Sequence, residues 1–209
     1  HDPPQCPFFA YPLGRQGFYH EQAQAFRRCL VLTGAVSEEA QAAAYVTYYK
    51  DHFEKNRSAG DISEKYIDSL TKTFLTNMGE GKPWEECGID QSEAQSLTKV
   101  PTLVARFAGD LPVLLEEVGK MVRIWQVGEG CAVATRFCTL MARLLHHTLL
   151  TRCSPAAALA HFFALAAAQA SSKAARSGAD ELLSSDEVKI LQSAQVAEST
   201  LLHKIQDIE

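Results

Sequence analysis

The chain has 209 residues, with 20 basic and 25 acidic side chains and a net charge of −5. Charges of both signs intermingle along it, which excludes the basic stripe of a nucleic-acid binder and the basic anchor of a protein held on an anionic membrane. A chain of this length buries roughly 70% of its unfolded surface, so residues 1–209 are read as one domain that needs no staples.

Residues 1–18 are rich in Pro and Gly and read as an irregular arm. A first helix is predicted from about Tyr19 to Leu32, stopped by Thr33-Gly34, since glycine is the usual residue just past a helix end. Ser37-Glu38-Glu39 opens a second helix with a capping serine and an acidic first turn. Its stripe, Tyr45, Tyr48, Tyr49, His52 and Phe53, repeats at helical spacing. An aromatic stripe can stack on a base, but at this spacing it reads as core. Asp61-Ile62-Ser63-Glu64 resembles a capping box and predicts a third helix carrying Tyr66, Ile67, Leu70 and Phe74. Gly79 to Trp84 breaks the pattern, and a loop runs on to Gly88.

Leu97, Val100, Val104 and Phe107 again fall at helical spacing, with Pro101 either kinking that helix or starting it. Gly109 stops it. The next helix sets Leu111, Leu114, Leu115, Val118, Val122 and Trp125 against a polar side of Glu116, Glu117, Lys120 and Arg123. Residues 131–150 form a long, mostly apolar helix with one polar stripe, Arg136, Thr139, Arg143 and His146. Ser154-Pro155 supplies a cap and a first-turn proline. The helix they open, to about Gln169, is apolar nearly all round, the pattern of a central helix. Ser171 to Gly178 reads as a small polar joint, and Ser184-Ser185-Asp186-Glu187 as a capping box for a last helix to about Asp207. No alternating run marks a strand. The predicted fold class is all-α, a compact orthogonal bundle of about eight helices packed around 131–150 and 154–169.

Six cysteines, at 6, 29, 87, 131, 138 and 153, show no C-x-x-C and no zinc-finger spacing. Cys131 and Cys138 stand about 10 Å apart along a helix, too far for a disulfide. All six are read as reduced thiols. No apolar run reaches the roughly 18 residues of a membrane span, and no signal peptide is visible. The expectation is a soluble cytoplasmic protein with neither membrane nor nucleic acid as partner. No G-x-S-x-G, G-x-G-x-x-G or P-loop is present. His20-Glu21 begins like H-E-x-x-H, but Gln24 occupies the place of the second zinc ligand. His146 and His147 are adjacent, so they face different sides of their helix. No residue is assigned a catalytic or cofactor-binding role.

Several words of the sequence resemble one family. Gln91-Ser-Glu-Ala94, Lys99-Val-Pro101, Gly109-Asp-Leu-Pro112 and Arg123-Ile-Trp-Gln126 run in the order found in ADP-ribosylglycohydrolase-like proteins, in the selenoprotein J and J-crystallin branch. Cys6-Pro-Phe-Phe9, Gly14 and Tyr19-His-Glu-Gln22 resemble that branch's Pro-Phe, Gly and Tyr-Gly-Asp-Gln. The last word sits where the wider family carries an acidic motif that helps hold two magnesium ions. The resemblance therefore implies Glu21 as a metal-ligand position. Its carboxylate is one methylene longer than the branch's Asp, a shift of about 1 Å, and His20 replaces a glycine.

Elsewhere the words are kept in frame and altered in content. The branch's Asp-Ser-Gln-Ala has lost its Asp at Gln91, with Asp90 one step away. Its Asn-Asn-Asp after Arg-Val-Thr-Gln is replaced here by Val127-Gly-Glu-Gly-Cys131. The family's early Gly-Asp and late Gly-Gly-Asp segments have no counterpart in 1–209, and the likeness covers roughly residues 5–150. It implies a catalytically degenerate relative with a structural, crystallin-like or assembly-subunit role, a protein partner or self-association, and no cofactor. Two alternatives stay open. One is an active magnesium-dependent hydrolase that binds ADP-ribose and cleaves the N- or O-glycosidic bond of ADP-ribosylated substrates. The other is an unrelated all-α interaction module.

Overall fold

The computed structural model describes residues 18–57, 68–171 and 183–194. Helix α1 (Phe18–Thr33) ends at Gly34, whose positive φ of 78° lets its N–H reach the Leu30 carbonyl at 2.8 Å. Helix α2 (Glu38–Arg57) follows, its first turn capped by Ser37 Oγ accepting from the Ala40 N–H at 3.4 Å. Tyr45 and Tyr49 are buried, and the Tyr45 ring meets Trp125 edge-on at 4.2 Å, so this part of the aromatic stripe is core; the side chains of His52 and Phe53 lie outside the described residues.

Helix α3 (Ser69–Gly79) carries Leu70 and Phe74 but starts on Asp68, which is extended at φ −61° and ψ 160°. The predicted start at Asp61 is therefore too early for this helix. Asp68 supplies the acceptor that the first-turn N–H groups need, taking the Thr71 N–H at 2.8 Å. The expected box at Asp61–Glu64, with Tyr66 and Ile67, lies outside the described residues. So do the arm up to residue 17, with Cys6 and Gly14, the joint beyond Ser171, and the last helix beyond residue 194.

Short 3₁₀ turns at Trp84–Glu86 and Ala94–Lys99 lead into α4 (Val100–Phe107). Pro101 lies in its first turn, where the missing N–H costs nothing, so the proline starts this helix rather than kinking it. Asp110 caps α5 (Leu111–Arg123) by accepting the Val113 N–H at 3.1 Å. The long α6 (Gly128–Thr151) stops at Arg152, which is left-handed at φ 55°. After a bend of 118° comes α7 (Pro155–Ser171). Helix α8 spans 185–194 and opens with a reciprocal capping box. The Ser184 N–H donates to Glu187 Oε2 at 2.7 Å, and the Glu187 N–H donates to Ser184 Oγ at 3.2 Å. The described residues are thus all-helical, with one isolated parallel bridge between Ile89 and Gln126 and no strand. Among them no single helix is long and apolar enough to cross a membrane.

The main core joins Phe26 of α1, Tyr45 of α2, Phe74 of α3, Leu103 of α4, Leu114 of α5 and the fully buried Trp125. Helix α7 is not central, contrary to its composition. It buries Phe162 and Ala166 in a second, smaller cluster with Leu140, Leu183 and Leu191. Ala156, Ala157, Ala160 and Ala164 face solvent. Alanine scores as apolar but offers little surface to remove from water, so an alanine face tolerates exposure. Glu117 also departs from expectation: it lies inside, 3% exposed, on a helix side predicted to be solvated. Its carboxylate accepts the Val36 N–H of the α1–α2 connection and the Lys120 ammonium, at 2.7 Å for the latter. A loop N–H sealed beneath α5 has no water to bond, and Glu117 replaces that water.

Gly130, in the first turn of α6, packs so closely that a Cβ there would fall on the backbone of Gln91. Gly79, at the end of α3, has open space around it. Gly130→Ala is expected to lower unfolding free energy by about 1–3 kcal/mol, as overpacking does. Gly79→Ala is expected to change it by less than about 1 kcal/mol, in the stabilising direction. Urea titration of the two variants beside the parent measures both; equal stability of Gly130→Ala and parent would contradict the close approach.

Candidate functional site

The centre of interest is a knot of polar side chains inside the core. Gln22 lies on α1 one turn before Phe26, on the helix's apolar side, and is fully buried. Its amide Nε2 stands 2.6 Å from Thr71 Oγ1, 2.8 Å from Gln95 Oε1 and 3.2 Å from Asp68 Oδ2, two protons shared among three acceptors. Asp68, 5% exposed, also accepts the Thr71 N–H at 2.8 Å, the Thr71 hydroxyl at 3.0 Å and the Gln95 amide at 3.0 Å. Each carboxylate oxygen therefore receives two donors, which fills the roughly four lone-pair positions a carboxylate has. Three stretches far apart in sequence meet here: α1, the cap of α3, and the 3₁₀ turn before α4.

Lys99 completes the knot. It has no exposed surface, and its ammonium donates to Gln22 Oε1 at 3.0 Å and lies 5.4 Å from the centre of the Trp125 ring. Burial pulls its pKa down to about 8, opposed by the nearby Cys138 and Asp68. The same burial pushes the Cys138 thiol on α6 up to about 12. Gln22 thus mediates between the carboxylate, through its NH₂, and the ammonium, through its carbonyl oxygen.

A second layer straps this knot to α6. Gln126, fully buried, donates to the Gln91 carbonyl at 2.6 Å and accepts from Ser96 Oγ at 3.4 Å. The Ile89 N–H bonds the Trp125 carbonyl at 3.1 Å, and the Val127 N–H bonds the Ile89 carbonyl at 3.1 Å. Asp90 Oδ1 accepts the Gly130 N–H at 2.6 Å, capping α6 where the helix dipole favours a negative charge. Asp90, Glu93 and Glu129 edge an open cleft of about 510 Å³ over this strap. Glu93 ties the cleft to the knot, accepting from Ser69 Oγ at 3.0 Å.

Sequence reasoning singled out Glu21, the neighbour of Gln22. It is half-buried on α1, and its charge adds to the burial and the Asp68 charge that hold the Tyr49 hydroxyl above its ordinary range. His20 is exposed, with Gln24 Nε2 donating to its Nε2 at 2.9 Å. The structure brings Gln22 and Lys99 together and sets Gln126 in the adjoining strap, all from the words that carry the resemblance. Asp68, Thr71 and Gln95 were missed. Asp68-Ser-Leu-Thr71 ahead of Phe74 is a capping pattern that could have been read; Gln95, on a 3₁₀ turn, leaves no periodic signal. His146 and His147 do part company: the first reaches α4 and the second α7.

Magnesium requires several hard oxygen donors in near-octahedral array. Among the described residues, no three His, Cys, Asp or Glu side chains are placed to hold one metal ion. Asp68 has its oxygens occupied by protein donors and a buried cation near at hand. These residues do not fit a magnesium pair.

The Lys99 burial has a pH signature. Its folded pKa of about 8 lies below the ordinary 10.5, so the unfolded chain holds more protons across that window and stability rises with pH there. Raised acids oppose this, since Tyr45, Tyr49 and Cys138 all favour unfolding as alkali strips the unfolded chain first. The readout is therefore the difference between the parent and Lys99→Met. That difference is expected to move in the parent's favour by on the order of 3 kcal/mol between neutral and strongly alkaline pH. Denaturant unfolding across the range tests it, and a pH-independent difference would mean that Lys99 carries no such burden.

In comparisons with known proteins, no family model, no curated protein and no solved structure matches this chain.

Proposed function

We propose that this chain is a catalytically silent ADP-ribosylglycohydrolase-like protein whose helical scaffold serves a structural or assembly role. The observation that carries the reading is the internal closure of the polar knot. Asp68 spends both oxygens on Thr71, Gln22 and Gln95, and the Lys99 ammonium is sealed against Gln22 and Trp125. A hydrolytic centre needs carboxylate lone pairs open to a metal or to an attacking water. Groups bonded to one another in the core hold helices together instead. The words of the resemblance supply Gln22, Lys99 and Gln126 to this work, which keeps the scaffold's frame while its acidic positions change. Val31 and Leu32, 76% and 86% exposed at the end of α1, offer apolar surface suited to self-association.

One observation favours the second reading, an active magnesium-dependent hydrolase of ADP-ribosylated substrates. Asp90, Glu93 and Glu129 border an open cleft of about 510 Å³ at the place where the resemblance would locate polar chemistry. Calorimetric titration of the full-length protein with ADP-ribose in magnesium buffer separates the two readings. The expected result is no saturable heat up to about 1 mM ligand. Binding tighter than that, lost on chelating magnesium, would replace the structural reading with the enzymatic one. In the same preparation, sedimentation velocity is expected to show self-association that Leu32→Asp reduces.

A further inference from the structure

A second cleft, of about 570 Å³, lies between α6, α7 and the corner where α4 meets α5. That volume suits a single small molecule. Leu111 and Pro112 of α5, Leu150 of α6 and Leu165 of α7 give it aliphatic walls. The rings around it are engaged within the protein. His147 and His161 stack on each other, 4.4 Å between centres and 8° between planes. His146 Nε2 lies 2.9 Å from the Ala108 carbonyl, and Phe162 is buried. The cleft therefore offers apolar bulk rather than a stacking platform.

Its fixed charge is negative. Arg143 is the one arginine or lysine among the described residues lining the cleft, and Glu187 of α8 neutralises it at 3.1 Å. Asp110, exposed at the mouth, is the one carboxylate lining it. Its Oδ1 accepts the Val113 N–H at 3.1 Å, and no lysine or arginine among the described residues pairs with it. The start of α5 balances part of that charge, and a carboxylate has room for donors beyond one N–H. The end of α6 adds to the negative side. Leu150 and Thr151 of its last turn line the cleft, and that turn holds no basic residue. The carbonyls of a last turn lack helical partners, and no backbone N–H among the described residues returns to these. They carry the negative end of the helix dipole. Arg152, next in sequence, is exposed and does not line the cleft. Arg106 of α4 does not line it either, and lies over the Phe107 ring at 5.3 Å.

We infer that this cleft binds a small primary ammonium carried on a compact aliphatic body. The ammonium meets Asp110 and the last carbonyls of α6, and the hydrocarbon displaces water from Leu111, Leu150 and Leu165. A lysine side chain of another protein bears the same head group on a slender stem, which leaves most of the cleft unfilled. The site asks nothing of the imidazoles' charge. It stands apart from the polar knot and from the acidic cleft, and so does not depend on how either is read.

The test titrates the full-length protein at about pH 7.5, where a primary alkylamine is charged, and follows histidine ring resonances. Cyclohexylmethylammonium is expected to shift His146, His147 and His161 saturably and leave His20 unmoved. Neutral cyclohexylmethanol and anionic cyclohexanecarboxylate are each expected to bind at least about 3-fold more weakly, the scale of one partly exposed ion pair. Nα-acetyl-lysinamide, the side-chain source of the same head group, is expected to bind at least about 3-fold more weakly for want of apolar contact. Asp110→Asn keeps a capping residue and removes the charge. Leu150→Lys, at a rim position 60% exposed, sets a cation in the last turn of α6 without touching the core. Each is expected to cut the ammonium's advantage over the carboxylate at least about 3-fold, and Leu150→Lys decides should Asp110→Asn fail to fold. No saturable shift up to about 5 mM ammonium overturns the inference. So does any comparison probe binding as tightly as the ammonium, or an undiminished advantage in a folded variant.

Discussion

An ammonium group with no access to water governs the architecture around it. Lys99 carries a charge into the centre of the main core, where an unpaired ion would cost several kcal/mol. The protein answers with the Gln22 carbonyl oxygen, the face of Trp125 and, through Gln22, the Asp68 carboxylate. Each partner comes from a different element, so the lysine fixes α1, the cap of α3, the turn before α4 and the residues after α5 relative to one another. Apolar packing of Phe26, Phe74 and Leu103 would hold these helices together under many small displacements. The hydrogen bonds of the knot allow few.

The strap at 88–96 extends that constraint toward α6. Gln126 and the Ile89 bridge hold the segment against the chain after α5, and Asp90 then caps α6 itself. Gly130 is required because the strap's backbone lies where a side chain would stand. The strap and Lys99 belong to one continuous stretch of sequence. Gln22, Lys99 and Gln126 all face inward, and Glu129 faces out.

Helices α7 and α8 form a separate layer. Phe162, Leu183 and Leu191 pack on Leu140 of α6, while Arg143–Glu187 at 3.1 Å and Arg136–Asp186 at 3.0 Å pin α8 alongside. The polar stripe predicted on α6 is thereby explained: Arg136 and Arg143 face α8, and His146 faces the end of α4. A stripe that resembles a solvated face is mostly a docking face, since ion pairs and a carbonyl bond meet it there.

The helices and most of their ends were legible in the sequence, because caps and stops are local. Gly34 ends α1, Pro101 starts α4, and Ser184 with Glu187 opens α8, each through bonds that reach no more than four residues. Tyr45 and Tyr49 of α2 declared their core role by the same short-range logic. The depth of individual polar groups was not legible. Lys99, Asp68, Gln95 and Glu117 are inside because of partners 27 to 81 residues away, as Gln95–Asp68 and Val36–Glu117 illustrate. Composition also overstated α7, since alanine counts in an apolar pattern without needing burial. What the sequence alone determined was therefore the set of helices and their boundaries. Which of their polar side chains face inward, and which faces meet to form the two clefts, only the tertiary structure decided, because that choice rests on long-range hydrogen bonds with no periodic trace in the chain.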